Sequence, residues 1–165
     1  ACLAADAGTF PEALRQRFGA AARPGPVVDE HGAEIGRHPG IHRYTVGQRR
    51  GLGLALGSRA WVRAIDAAGA RIELTRDARR LAAHSLRAAG FRLHPACADR
   101  RSGRCQVQIR SRHRPAPAHY QLEPDGRARI TFDRPQSAIT PGQAAVCYRD
   151  QTLIGGGWIE RVLTD

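Results

Sequence analysis

Residues 136–159 constrain this chain more tightly than any other stretch: Q-S-A-I-T-P-G-Q-A-A-V-C-Y-R-D-Q-T-L-I-G-G-G-W-I. Thr140-Pro141-Gly142 predicts a turn, because Pro pre-sets φ and Gly is free to take φ > 0. From there Ala144, Val146 and Tyr148 face one way while Ala145, Cys147 and Arg149 face the other, the period of a half-buried strand. Asp150-Gln151 predicts a tight reversal, and Leu153 and Ile154 begin a return strand. Gly155-Gly156-Gly157 ahead of Trp158 predicts a bulge or a close backbone approach. Together these features describe the closing hairpin of a small β-barrel.

The rest of the chain supplies further strands. Thr9-Phe10-Pro11-Glu12 has the pattern of a capping box, and Phe10, Leu14 and Phe18 recur at every fourth place, which predicts one short helix ending near Gly19. After a Pro/Gly linker, residues 27–28 and 34–37 pair across a turn at 30–32, and residues 61–65 and 71–74 pair across 66–69. Residues 76–83 read as a charged joint, and 85–101 as a poorly determined piece in which Phe91 suits a strand. Residues 104–112 alternate cleanly, with Cys105, Val107 and Ile109 on one face and Gln106, Gln108, Arg110 and Arg112 on the other. Ile130 and Phe132 point inward where Arg127 and Arg129 point out, beyond a turn at Glu123-Pro124-Asp125-Gly126. The expected fold is mainly β: two small β-barrel-like domains in tandem, preceded by one short helix. Residues 1–22 are the helix-bearing linker, 23–80 a small central β domain and 81–165 the C-terminal β-barrel.

Charge bounds the partners. The chain has 165 residues, a net charge of +11 and 26 basic residues, all of them Arg. Such a chain attracts polyanions, and Arg makes planar two-pronged contacts to phosphate. No long apolar run or basic amphipathic helix is legible, which disfavours a membrane partner. Four cysteines at 2, 97, 105 and 147 lack the C-x-x-C spacing of a zinc site. A Cys97–Cys105 disulfide is conceivable, but a basic chain without a signal-peptide pattern points to reducing cytoplasm. The chain holds no Met and starts Ala1-Cys2, so it reads as a piece of a longer protein. His38, His42 and His113 have no paired carboxylate or second ligand at metal-like spacing, so no metal site and no catalytic constellation is expected from spacing alone.

The remaining informative stretch is residues 36–53, G-R-H-P-G-I-H-R-Y-T-V-G-Q-R-R-G-L-G. It has neither the Walker spacing nor G-x-G-x-x-G, and a tightly turned connection inside a small barrel accounts for its glycines. Its wording, and that of A-I-T-P-G-Q-A-A-V-C-Y with G-G-G-W-I, resembles the central and C-terminal parts of the bacterial tRNA-specific 2-thiouridylases. The resemblance implies a partner tRNA, a sulfur-donor protein passing a persulfide, a monomer, and ATP used by an adenylating domain that these residues do not contain; no cofactor is expected in the chain itself. It implies tRNA contacts from Arg110 and Ser111 in I-R-S-R-H and from Gln143 in P-G-Q, with Arg49 and Arg50 as further candidates. Ser111 stands where the family usually has Tyr. It also implies that Cys2 carries sulfur, although Leu3 stands where the family usually has Phe. On that basis the chain is expected not to thiolate tRNA alone. Two other readings remain open: a free-standing RNA-binding or adaptor barrel without catalysis, and a structural β domain whose charge is compositional.

Overall fold

The computed structural model describes residues 23–163. The expected helix and Cys2 lie outside the described residues. The chain divides into two compact units, one running to Ala78 and one from Arg79.

The first unit is a four-stranded sheet of β1 (Gly25–Val28), β2 (Glu34–His38), β3 (Trp61–Asp66) and β4 (Arg71–Thr75) in the order β2-β1-β4-β3. The two predicted hairpins are present, and they are joined by a parallel pairing of β1 with β4 that places Val27 opposite Ile72. Val27, Val62, Ile72 and Leu74 form the core, because alternate strand positions point to the same face. The glycine-rich connection from β2 to β3 contains a 3-10 turn at Ile41–Arg43 and returns Leu52 and Ala60 to that core. His38 is a buried structural histidine whose ring nitrogen lies 2.8 Å from the Ala70 carbonyl.

The second unit is a closed six-stranded barrel. Its strands are β5 (Ala82–Leu93), β6 (Ser102–Gln108), β7 (Ala116–Leu122), β8 (Ala128–Ser137), β9 (Ala144–Arg149) and β10 (Thr152–Leu163). Hydrogen bonding runs β10-β5-β8-β7-β6-β9 and returns to β10, so the sheet has no free edge. The interior holds the predicted inward set, Cys105, Val107, Ile109, Ile130 and Phe132, with Tyr120, Leu86 and Ile159. The chain is therefore mainly β. Among the described residues, hydrogen bonding closes only in the second unit.

Two strands run longer than their patterns predict. The piece read as poorly determined is β5, where a left-handed Gly90 (φ 57°) interrupts the alternation. β8 continues through Pro135, where the sequence offers no apolar partner positions but Gln136 and Ser137 pair with Ala83 and Ala82. The triple glycine behaves as expected. A Cβ on Gly155 would lie 2.5 Å from the Arg92 carbonyl oxygen and one on Gly157 2.7 Å from that of Ala89, and the register slips between Gly156 and Trp158.

Candidate nucleic-acid interface

The barrel brings the adjacent pair Arg110 and Ser111 to the same cleft as Gln143, which lies far along the sequence. β6 ends at Gln108, Ile109 is buried, and the chain turns back with the His113 amide donating to the Arg110 carbonyl at 2.9 Å. The Gln108 side-chain amide braces this turn from outside, donating to the Arg110 and Ser111 carbonyls at 3.1 Å each. On the neighbouring strand, Gly142 takes φ 86° in the predicted Thr140-Pro141-Gly142 turn, and the Gln143 amide donates back to Thr140 at 3.3 Å. The Ile159 amide then donates to the Gln143 carbonyl at 2.7 Å, fixing Gln143 against β10.

Because β6 and β9 pair with Gln108 opposite Val146, the two turns flank one open cleft of about 350 Å³. Gln108, Arg110, Ser111, Gln143, Ala144 and Val146 line it. Arg110 is exposed, and its guanidinium donates to the Ser137 and Ala138 carbonyls at 3.0 and 3.4 Å. Among the described residues no carboxylate pairs with Arg110, so its charge is oriented but not neutralised. The Gln143 Oε1 is buried with no hydrogen-bond partner. Such an acceptor costs about 1–3 kcal/mol to leave bare, and because water does not reach it, a ligand donor meets it only after the amide turns. The cleft thus places an anion-seeking guanidinium, a hydroxyl and the Gln143 side chain along one lining. That set suits phosphate together with a ribose hydroxyl or base amino group.

Behind the cleft, the His113 Nε2 lies 3.0 Å from Gln136 Oε1, while its Nδ1 is bare. Burial, with Arg110 nearby, holds His113 below the usual imidazole range despite that hydrogen bond. Arg49 and Arg50 belong to the first unit and are exposed on the glycine-rich connection. The Gln48 side chain shapes it by accepting from the Thr45 amide and donating to the Arg50 carbonyl, both at 3.0 Å. Arg49 borders an open depression of about 870 Å³ together with Leu52, Leu54 and Arg59.

Gln108 also lines the cleft, and sequence reasoning did not single it out as a site residue. Its signal was its place on the outer face two positions before Arg110. Cys97, Cys105 and Cys147 are free thiols, so Cys97 and Cys105 do not form a disulfide. Cys105 instead meets Cys147 inside the barrel, where the contact and burial push the Cys147 thiol far up and keep it protonated. Among the described residues no group of three or more His, Cys, Asp or Glu is placed to hold a metal ion.

Comparison with known proteins locates this architecture. Residues 12–75 match the family described as tRNA methyl transferase PRC-barrel domain, and residues 83–159 match the aminomethyltransferase beta-barrel domain. The fold and cleft therefore define a pair of β domains used by tRNA-modifying proteins. The chain is 44% identical over 159 residues to the tRNA-specific 2-thiouridylase of Chloroflexus aurantiacus, covering 93% of this chain and 43% of the relative. It is 42% identical over 139 residues to that of Acidobacterium capsulatum, covering 82% of this chain and 37% of the relative. The chain belongs to the tRNA-specific 2-thiouridylase family, and it spans about two fifths of the length of these relatives.

Proposed function

We propose that these two β units hold tRNA for a 2-thiouridylase, with the barrel cleft of Arg110, Ser111 and Gln143 gripping the RNA backbone. The reading is carried by one observation: an arginine that is exposed and has no carboxylate partner among the described residues lines the same cleft as Ser111 and Gln143. Arg49 and Arg50 add positive charge from the first unit. The modification is 2-thiolation of a wobble uridine. It draws on ATP at an adenylating domain outside these 165 residues, so the chain alone binds tRNA without thiolating it.

In the same reading Cys2 accepts sulfur from a donor protein and carries it as a persulfide toward C2 of the adenylated uridine. The protein works in the cytoplasm as a monomer. In a polypeptide that includes the adenylating domain, Cys2→Ser is expected to abolish thiolation and leave tRNA affinity unchanged; full thiolation by that variant would make Cys2 a bystander. Binding itself is tested by titrating the chain with an unmodified tRNA transcript at two salt concentrations. Phosphate contacts predict that log K falls with log salt by roughly 0.9 per phosphate engaged. Absent or salt-insensitive binding would contradict the reading.

A further inference from the structure

The barrel carries an exposed aromatic ring that the cleft does not use. Trp158 is 63% exposed although it sits within β10, where β9 and β5 pair with it on either side. Its direct cross-strand neighbours are Ala144 and Ala89, and glycines precede it, so the positions directly opposite it leave the indole uncovered. Its backbone is nonetheless firmly placed. The next residue, Ile159, is buried, donates to the Gln143 carbonyl at 2.7 Å and accepts from the Gly142 amide at 2.8 Å.

We propose that Trp158 is a stacking platform for an unpaired base of the bound RNA, one strand away from the phosphate grip at Arg110. This rests on the RNA-binding reading and deepens it. The two features are continuous, because Ala144 lines the cleft and is also the cross-strand partner of Trp158. A cationic groove bordered by an aromatic face is how single-stranded nucleic acid is held without sequence readout. A rigid strand position adds to this by leaving little backbone freedom to lose on binding.

A protein partner fits the surface less well. The other large exposed hydrophobic among the described residues is Leu153. Leu153 pairs with Tyr148 at the far end of the β9–β10 ladder, about 16 Å of extended strand from Trp158. The two do not make the continuous apolar patch that a protein interface buries at its centre. The net charge of +11 and the uncompensated Arg110 in the cleft that Ala144 shares favour a polyanion.

The chain has two tryptophans, Trp61 and Trp158, so Trp61→Phe leaves Trp158 as the sole indole emitter. Titration of that variant with an unmodified tRNA transcript is expected to quench its emission along the binding curve. Inorganic polyphosphate, which carries charge but no bases, is expected to bind without quenching. Trp158→Ala should weaken tRNA binding about tenfold, on the scale of losing one stacked base, with polyphosphate affinity unchanged and Trp158→Phe restoring most of the loss. Saturable tRNA binding with unchanged Trp158 emission and wild-type affinity in Trp158→Ala would overturn the inference and leave the ring to a protein partner. Failure of the unsubstituted chain to bind tRNA at all would overturn the RNA-binding reading, a separate result seen before any Trp158 variant is made.

Discussion

The two units draw on the same arginine-rich composition and use it differently. In the barrel, Arg104 grips Asp133 through both guanidinium nitrogens at 2.7 and 2.5 Å, Arg87 pairs with Glu123 at 3.1 Å, and Arg127 sits between Asp125 and Glu160. These arginines are neutralised on the outer wall. Arg110 is held by carbonyl oxygens instead, so its geometry is fixed while its charge stays available. In the first unit Arg37 pairs with Glu34 and Arg63 with Glu73. Arg49 and Arg50 have no ion pair among the described residues and ride on an irregular connection. Positive charge alone therefore does not mark a site. What distinguishes the barrel cleft is an arginine positioned by backbone acceptors next to a polar atom that lacks a partner.

The comparison can be sharpened by perturbing each unit in turn. The largest effect is expected in the closed barrel, where Ile130→Ala removes a fully buried side chain and should cost about 2–5 kcal/mol in denaturant unfolding. A loss below about 1 kcal/mol would mean that the interior collapses around the deletion. Gly155→Ala comes next, at about 1–3 kcal/mol, because its Cβ would press on the Arg92 carbonyl oxygen at 2.5 Å. A neutral result would show that β10 can shift away from β5.

Replacing Arg49 and Arg50 together by Ala should reduce the salt slope of tRNA binding by about 2. An unchanged slope would confine the RNA to the barrel. The smallest effect concerns His113. Burial makes it harder to protonate in the folded barrel than its ordinary value of 6.5 in the unfolded chain. The unfolded state therefore binds more protons between 6.5 and the lower folded value, so this contribution to stability is whole above 6.5 and is lost as pH falls through that window. The unfolding midpoint should be lower at pH 5 than at pH 7.5, with a smaller difference in His113→Gln. Equal differences in the two proteins would assign the pH dependence elsewhere.

Much of the barrel was legible because a strand with one buried face must alternate. Cys105, Val107 and Ile109, and later Ile130 and Phe132, announce their inward face residue by residue. β5 was not legible, since Gly90 breaks its period and small Ala and Ser side chains occupy several of its inward positions. The turn at Gly142 could be read from Pro141-Gly142, but its meeting with the 110–113 turn could not. That depends on β6 lying beside β9, a pairing between segments far apart in sequence. The nomination of Arg110, Ser111 and Gln143 came from family resemblance, and the register places all three on one cleft. Trp158 was hidden for a different reason. The glycines before it shift the register, so alternation no longer tells inside from outside.

The central claim is that the charge at Arg110 is free for RNA whereas the charge at Arg104 is already spent on Asp133. The most direct measurement is tRNA affinity for Arg110→Ala and Arg104→Ala side by side, at one salt concentration. Arg110→Ala should lose roughly 1 kcal/mol or more, on the scale of a charge-assisted hydrogen bond, and Arg104→Ala should stay close to the unsubstituted chain. Equal losses in the two variants, or none at Arg110, would contradict this account.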